Sequence, residues 1–224
     1  REYEEIFPAF GLHPWYIKNA APGWETLLEE YCTRVRAAVG EIGLDHALDY
    51  PDEEARQEHY TLQEDVFRSQ VELAGRLGLP VSVHCRKAWH RLIPLIKECG
   101  VKGMGIVVHS YSGSADQVEQ LASLGVYFSF SGSVTRSGNR RVHKACAAVP
   151  VGRLLIETDA PDIPPVIDHK IDQQSPNEPA NITHVLKQVA AIRDVSEEEI
   201  ARVTTENALA VLAPVTRKRS GGRG

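Results

Sequence analysis

Six short apolar runs, most of them separated from the next by a helical pattern, constrain this fold more than any other feature. The runs lie at residues 6–11, 37–43, 81–84, 105–109, 126–131 and 153–157. Apolar residues recur at helical spacing at 24–35, 54–77, 90–99, 115–124 and 142–149, and two further helix patterns follow at 182–193 and 196–212. Such alternation predicts an α/β fold with a parallel sheet, and unbroken apolar runs indicate strands that are covered on both faces.

Size and composition predict one globular domain. The chain has 224 residues, of which 42% are hydrophobic and 25% charged, which excludes a disordered chain. We expect the domain to span residues 1–212 and a basic, disordered tail to span residues 213–224. The net charge is −5, and removing the four positive charges of residues 217–224 leaves −9 for the rest. Because the surface as a whole is acidic, a nucleic acid or another polyanion is expected to contact only a limited part of it.

Several features predict the compartment. The longest apolar runs fall well short of the roughly 18 residues that span a bilayer, so we expect no membrane partner. The four cysteines show no CxxC pair and are expected to be free thiols in a reducing compartment. The first residues, REYEE, are charged and do not resemble a signal peptide. These features predict a cytoplasmic protein and leave the nucleus and organelles open.

Metal-ligating residue types stand where the apolar runs end. These residues are His13, Glu41, Asp45, His84, His109, Glu157 and Asp159. The carboxyl ends of parallel barrel strands meet at one rim, which carries the chemistry in α/β barrels. Two histidines and two carboxylates from four strands suit divalent Zn, Mn or Mg, and a carboxylate can bridge two such ions. The alternative for any single histidine is a hydrogen-bonded core residue.

Seven motifs give the chain a family resemblance. They are GLHP at 11–14, GEIGLD at 40–45, PVSVHCR at 80–86, VHSYSG at 108–113, LIETDAP at 155–161, NEP at 177–179 and TTENA at 204–208. In this order they resemble the TatD-type metal-dependent deoxyribonucleases. The resemblance implies a TIM-barrel-like fold of the amidohydrolase kind, one or two divalent ions, and hydrolysis by a metal-activated water.

The resemblance also implies individual roles. Glu41 matches the carboxylate that bridges two metals, and His84 and His109 match the ligands of one of them. Asp159 matches a ligand of the other metal, next to the attacking water, so Glu41 and Asp159 are the expected catalytic residues. Strand alternation places Glu157 on the same face as Asp159, where it is expected to support the ligands.

The chain departs from the family pattern at its beginning. The family usually opens with His-x-His on its first strand, and this sequence contains no such motif. We therefore expect about six of eight barrel strands, with roughly 50–60 residues of βα units lacking upstream. The ion beside Asp159 would keep only Glu41 and Asp159. The chain is then a piece of a longer enzyme, a shortened form that closes its barrel differently or through a partner, or a nonfunctional product.

Positive and aromatic residues are candidates for substrate contact. Arg86 follows His84, and Arg136, Arg140 and Arg141 are expected in a loop after the fifth run, where guanidinium groups would bind phosphate. A solvated charge cluster is the alternative for that loop. His13 would contact a phosphate oxygen or serve as a structural cap. Trp15 and Trp89 would stack on a base or pack in the core.

Three functions remain open from the sequence. The first is a metal-dependent phosphodiesterase acting on single-stranded DNA or 3′ ends, as a 3′ exonuclease. The second is an amidohydrolase on a small cyclic amide or a deaminase of a base, which is disfavoured because such enzymes often bridge metals with a modified lysine where this chain has Glu41. The third is a noncatalytic or weakly active binding scaffold. The oligomeric state is not predicted.

Overall fold

Among the described residues, the main sheet consists of six parallel strands in chain order. A computed structural model describes residues 6–35, 37–101, 103–168, 170–171 and 176–216. The strands are β1 (Ala9–Phe10), β2 (Ala38–Asp45), β3 (Val81–Arg86), β4 (Ile106–Val108), β5 (Tyr127–Phe130) and β6 (Leu154–Ile156). Each strand pairs in parallel with the next. All six predicted strands are therefore present, in a TIM-barrel-like α/β arrangement.

Seven helices within the described ranges connect and cover these strands. They are α1 (Trp24–Val35), α2 (Glu53–Leu77), α3 (Trp89–Glu98), α4 (Ala115–Ser123), α5 (Arg140–Ala148), α6 (Ile182–Arg193) and α7 (Glu197–Thr216). Helix α2 packs on β2 and α7 packs on β6. The strands supply fully buried side chains such as Val39, Val83, Val108, Phe128 and Leu154, as the apolar runs predict. None of the helices in the described ranges combines the length and the hydrophobicity that a membrane span requires.

Strand β2 contains a bulge and then approaches β3 closely, at the end of the sheet that carries the polar residues. Val39 pairs with Val81 but Ile42 pairs with Val83, so β2 has one more residue than β3 in this interval. Such a bulge re-aims the side chains beside it, and here it contains Glu41. Gly43 follows with a φ of 146°, and a Cβ at this position would lie 1.9 Å from the carbonyl oxygen of His84. Only glycine permits this approach of the two strands.

The first strand and the long loop differ from expectation. The first apolar run, predicted over residues 6–11, pairs only at Ala9 and Phe10, because the Pro8 carbonyl accepts a bond from Ala38 but Pro8 has no N–H to donate. The loop predicted over residues 160–179 contains an antiparallel pair, β7 (Val166–Ile167) and β8 (Lys170–Ile171). Residues 169 and 172–175 of that loop lie outside the described part.

Two helices differ from the predicted bounds by more than one residue. Helix α5 begins at Arg140, two residues before the predicted start, which places Arg140 and Arg141 in its first turn rather than in a loop. Helix α7 continues to Thr216, so residues 213–216 of the predicted tail are helical, and residues 217–224 lie outside the described part.

Candidate metal centre

Donor atoms from β2, from β3 and from the segments that follow β1, β4 and β6 meet at the rim of the sheet. They form two groups that share Glu41: one contains His13, Glu41 and His84, and the other contains Glu41, His109 and Asp159. Within each group the donor atoms lie within 4.8 Å of one another. Glu41 is thus placed between two potential ion positions, in keeping with its expected bridging role.

The histidines divide between these groups differently from the expectation. His84 groups with His13, and His109 groups with Asp159, whereas both were expected around one ion. The imidazoles still face each other, with His84 Nδ1 lying 3.3 Å from His109 Nε2. His109 is therefore close to both potential ion positions, and its sharing of one ion with His84 stays a prediction.

Asp45 orients His84. Asp45 belongs to the GEIGLD motif, but the sequence alone assigned no individual role to this carboxylate. Asp45 Oδ2 lies 3.1 Å from His84 Nε2 and accepts a 2.7 Å bond from the Trp15 indole N–H. Burial alone would raise the pKa of this fully buried carboxyl, but bonds from His84, Trp15 and Ala47 outweigh it and lower the pKa to about 2. The charged carboxylate holds the proton of His84 on Nε2 and leaves the Nδ1 lone pair facing the other donors.

His109 lies among three carboxylates. Its Nε2 is 3.4 Å from Glu41, and its Nδ1 is 3.4 Å from Glu157 and 3.6 Å from Asp159. Burial alone would lower the pKa of His109, but Glu157, Glu41 and Asp159 outweigh it and raise the pKa to about 9. Glu157 also accepts a 2.6 Å bond from the Ser110 backbone N–H, which fixes it beside His109. Glu157 therefore lies in contact with a candidate ligand, which is the position that the sequence predicts for it.

The loop after β6 presents Asp159 and is fixed by Asn177. Asp159 has a φ of 62°, and burial followed by nearby Glu157 and Glu41 raises its pKa to about 6 despite the opposing charge of His109. The buried Asn177 amide donates to the carbonyls of Thr158 at 2.7 Å and Asp162 at 2.8 Å, on either side of Asp159. The NEP motif, for which the sequence suggested no chemistry, therefore holds this loop.

Two glutamines of α2 hold the backbone near Asp45 and near His13. They are seven residues apart and therefore lie on the same face of the helix. Gln63 contacts the backbone N–H and carbonyl of Asp45 at 2.8 and 3.1 Å. Gln70 does the same for Leu12, next to His13, at 2.7 and 3.1 Å. His13 Nδ1 accepts from the Trp15 backbone N–H at 3.2 Å, and its Nε2 lies 3.7 Å from Glu41. Burial and the neighbouring His84 lower the pKa of His13 to about 4, so its ring is neutral near pH 7.

A cavity of about 760 Å³ opens onto these donors. Of the predicted substrate contacts, His13, Arg86 and Arg136 line it. Among the described residues that form its wall, Arg140 and Arg141 are absent, and both are exposed in α5. Their phosphate role stays a prediction. Trp15 also lines the cavity, whereas Trp89 is buried and packs against Tyr111, so the structure separates the two tryptophans.

The residues present fit a divalent metal. Imidazole nitrogens and carboxylate oxygens together suit Zn²⁺ or Mn²⁺, with Mg²⁺ the harder alternative. A four-coordinate ion with bonds of about 2.0–2.1 Å places adjacent ligand atoms about 3.3–3.4 Å apart. The His84–His109 and His109–Glu41 separations, 3.3 and 3.4 Å, match this spacing. Three carboxylates surround His109 and raise its pKa, and a cation bound among them would neutralise part of this negative charge.

Comparisons with known proteins agree with this geometry. An uncharacterised metal-dependent hydrolase of Bacillus subtilis (strain 168), YabD, is 32% identical over 208 residues, covering 92% of this chain and 77% of the relative. The 3′-5′ ssDNA/RNA exonuclease TatD of Edwardsiella piscicida is 32% identical over 203 residues, covering 88% and 74%. The crystal structure of YJJV, a TatD homologue from Escherichia coli K12, superposes with a TM-score of 0.81 at 30% identity, covering 93% of this chain and 77% of that one.

The family match covers nearly the whole chain. The profile described as TatD related DNase matches residues 1–213, which include every donor of the candidate metal centre. This chain belongs to the TatD related DNase family of metal-dependent hydrolases.

Proposed function

We propose that this protein is a metal-dependent phosphodiesterase that hydrolyses DNA from a 3′ end, with single-stranded DNA as its preferred form. The observation that carries the proposal is the position of Glu41, which both donor groups share beside a cavity that also contains Arg86 and Arg136. A carboxylate between two ion positions, with guanidinium groups nearby, is the arrangement that phosphodiester hydrolysis needs. The name of the Edwardsiella relative supports the choice of a single-stranded nucleic acid and of the 3′ end.

The metal-binding roles follow from the two donor groups. Glu41 with His84 and His109 would hold one ion, and Glu41 with Asp159 would hold a second, each being Zn²⁺, Mn²⁺ or Mg²⁺. When bound, such ions polarise a phosphoryl oxygen and acidify the attacking water. Asp45 keeps the proton of His84 on Nε2, and Glu157 orients His109. These supporting carboxylates keep the imidazoles aimed at the ions.

The remaining roles concern the substrate. Arg86 and Arg136 bind phosphate oxygens at the cavity wall, and the Nε2–H of His13, beside Glu41, donates to a phosphate oxygen. Asp159 accepts a proton from the attacking water as the water oxygen bonds to phosphorus. The P–O3′ bond then breaks, and the proton that Asp159 received passes through water to the departing O3′. The products are a free 5′-nucleotide and a strand with a new 3′ hydroxyl for the next cycle.

The test is a cleavage assay with end-labelled DNA. The purified protein is stripped with EDTA, reloaded with Zn²⁺, Mn²⁺ or Mg²⁺, and mixed with a 5′-labelled single-stranded oligonucleotide. We expect a ladder that shortens from the 3′ end, that requires metal, and that a blocked 3′ end prevents. Asp159→Asn is expected to abolish turnover, whereas Asp194→Asn, the same change at an exposed left-handed position of the α6 cap, retains it.

Two results would contradict parts of this proposal. Cleavage that survives in Asp159→Asn removes that residue from its role, and cleavage of circular single-stranded DNA replaces the exonuclease with an endonuclease. Metal and DNA binding without any cleavage would instead favour the scaffold alternative. Turnover of a cyclic amide with no DNA cleavage would favour the amidohydrolase alternative.

A further inference from the structure

Two consecutive aromatic side chains stand exposed at the mouth of the cavity. Trp15 is 48% exposed and Tyr16 is 59% exposed, and both line the cavity together with Glu41 and His84. Scattered single exposed apolar residues are ordinary, but adjacent large rings beside a row of metal donors are not. The pair lies in the turn after β1, where the Tyr16 N–H donates to the His13 carbonyl at 2.9 Å.

Trp15 is held in place despite its exposure. Its indole N–H donates to Asp45 at 2.7 Å, and its ring meets His13 edge-on with centroids 4.9 Å apart. The centroid of Trp15 lies 6.2 Å from that of His84, which is oriented by the same Asp45 carboxylate. Because the polar atom of the indole is already bonded, the part that remains exposed is the hydrocarbon ring. This ring is therefore a preformed apolar surface at a fixed position beside the metal donors.

We infer that Trp15, with Tyr16 beside it, is a stacking platform for one unpaired nucleobase of the bound strand. The inference rests on the proposed function, because Arg86 and Arg136 would hold the phosphates of the same strand in this cavity. Every base has a π-face, so a stacking surface binds without preference for sequence. A base in a duplex is already stacked and paired, so the platform selects nucleotides that are single-stranded or frayed. It explains how an acidic protein can bind a polyanion through a small local site.

The test is a double-mutant cycle between protein and DNA, read as binding rather than cleavage. Fluorescence anisotropy measures the Kd of a short labelled single-stranded DNA for the Mn²⁺-loaded protein in the Asp159→Asn background, so that the oligonucleotide stays intact. The DNA carries either all its bases or one abasic nucleotide at each of the last three 3′ positions in turn. Adding Trp15→Ala is expected to weaken binding of the intact DNA roughly 5- to 150-fold, the range for loss of one stacked base. For one abasic position, Trp15→Ala is expected to have almost no further effect.

Two control variants separate stacking from support of the metal centre. Trp15→Phe keeps a ring but loses the bond to Asp45, so stacking predicts binding close to that of the Asp159→Asn background. Tyr31→Ala removes a 38% exposed aromatic from α1, outside the cavity wall formed by the described residues, and should leave binding unchanged. The platform is overturned if Trp15→Phe binds DNA as weakly as Trp15→Ala and if both variants lose the same affinity for intact and for abasic DNA.

The outcomes also separate this inference from the proposed function. Coupling between Trp15 and one base in a protein that never cleaves DNA would support the platform and contradict only the nuclease. Cleavage of DNA without such coupling would contradict only the platform. If the protein with Trp15 intact does not bind single-stranded DNA at all, the platform is overturned as well.

Discussion

Replacing Asp45 by asparagine tests how the protein prepares His84 as a ligand. The Asp45 carboxylate is fully buried and accepts three bonds: from Trp15 at 2.7 Å, from the Ala47 N–H at 2.8 Å, and from His84 at 3.1 Å. An asparagine has nearly the same shape but offers one oxygen and one NH₂ group. At least one of the three donors then faces another donor, or His84 moves its proton to Nδ1, the nitrogen that faces His109.

The magnitude follows from the number of lost bonds. A hydrogen bond to a buried charged group contributes about 1.5–3 kcal/mol, so Asp45→Asn is expected to lower the free energy of unfolding by about 2–4 kcal/mol. The variant is also expected to bind Mn²⁺ or Zn²⁺ about 10- to 100-fold more weakly, as found when the partner of a ligating histidine is removed. Chemical denaturation measures the first quantity, and calorimetric titration of the EDTA-stripped protein measures the second.

A matched control and a spectroscopic measurement sharpen this test. Asp49→Asn is the same change at an exposed position four residues further along and should alter neither quantity. The ¹⁵N chemical shifts of the His84 ring report which nitrogen carries the proton, and the reasoning predicts Nε2 in the unaltered protein. If Asp45→Asn folds and binds metal within about twofold of the unaltered affinity, the account of how Asp45 prepares His84 is refuted.

Three further predictions concern the loop after β6, the charge of the site and the β2–β3 contact. Asn177→Ala removes the donor to the carbonyls of Thr158 and Asp162 and should lower the free energy of unfolding by about 1–3 kcal/mol in denaturant melts; an unchanged melt would contradict its role. The pKa of His109, about 9, lies above its unfolded value, so its stabilisation is complete below about pH 6.5 and is lost as pH rises through 9. In EDTA, melts should therefore show the free energy of unfolding falling by on the order of 3 kcal/mol between these limits, and a flat profile would refute the assigned charge. Gly43→Ala should cost more than about 3 kcal/mol because its Cβ would meet the His84 carbonyl, whereas Gly78→Ala, at a φ of 62° in open space, should cost about 1–2 kcal/mol.

Local patterns predict most of the fold and the ligands. Apolar runs mark the strands because burial on both faces requires it, and a run ends where its polar side chain reaches the rim. This is why Glu41, His84, His109 and Asp159 could be named together from the sequence, and the structure brings them together. The predicted length of β1 was too great because Pro8 limits strand pairing, which the hydrophobicity of the run does not show.

Long-range hydrogen bonds could not be predicted in this way. Asn177 reaches carbonyls 15 and 19 positions earlier in the chain, and the Asp45–His84 contact joins residues 39 positions apart. No periodicity encodes such partners, although a carboxylate two residues after the second apolar run was a signal that Asp45 belongs to the site. The bulge at Glu41 was also beyond reach, because strand register depends on the neighbouring strand.

The most direct test of the central claim, that these side chains form a metal centre in this chain, is a thermal melt of the EDTA-stripped 224-residue protein with added Zn²⁺, Mn²⁺ or Mg²⁺. Binding to the folded state alone adds about 2.7 kcal/mol at an ion concentration of 100 Kd, so the account predicts a clear rise in Tm that saturates at one or two ions per chain. Glu41→Ala should abolish the rise because both donor groups contain Glu41, and Glu54→Ala, an exposed glutamate on α2, should retain it. A Tm that does not respond to any of the three ions, or a rise that persists in Glu41→Ala, would contradict the account.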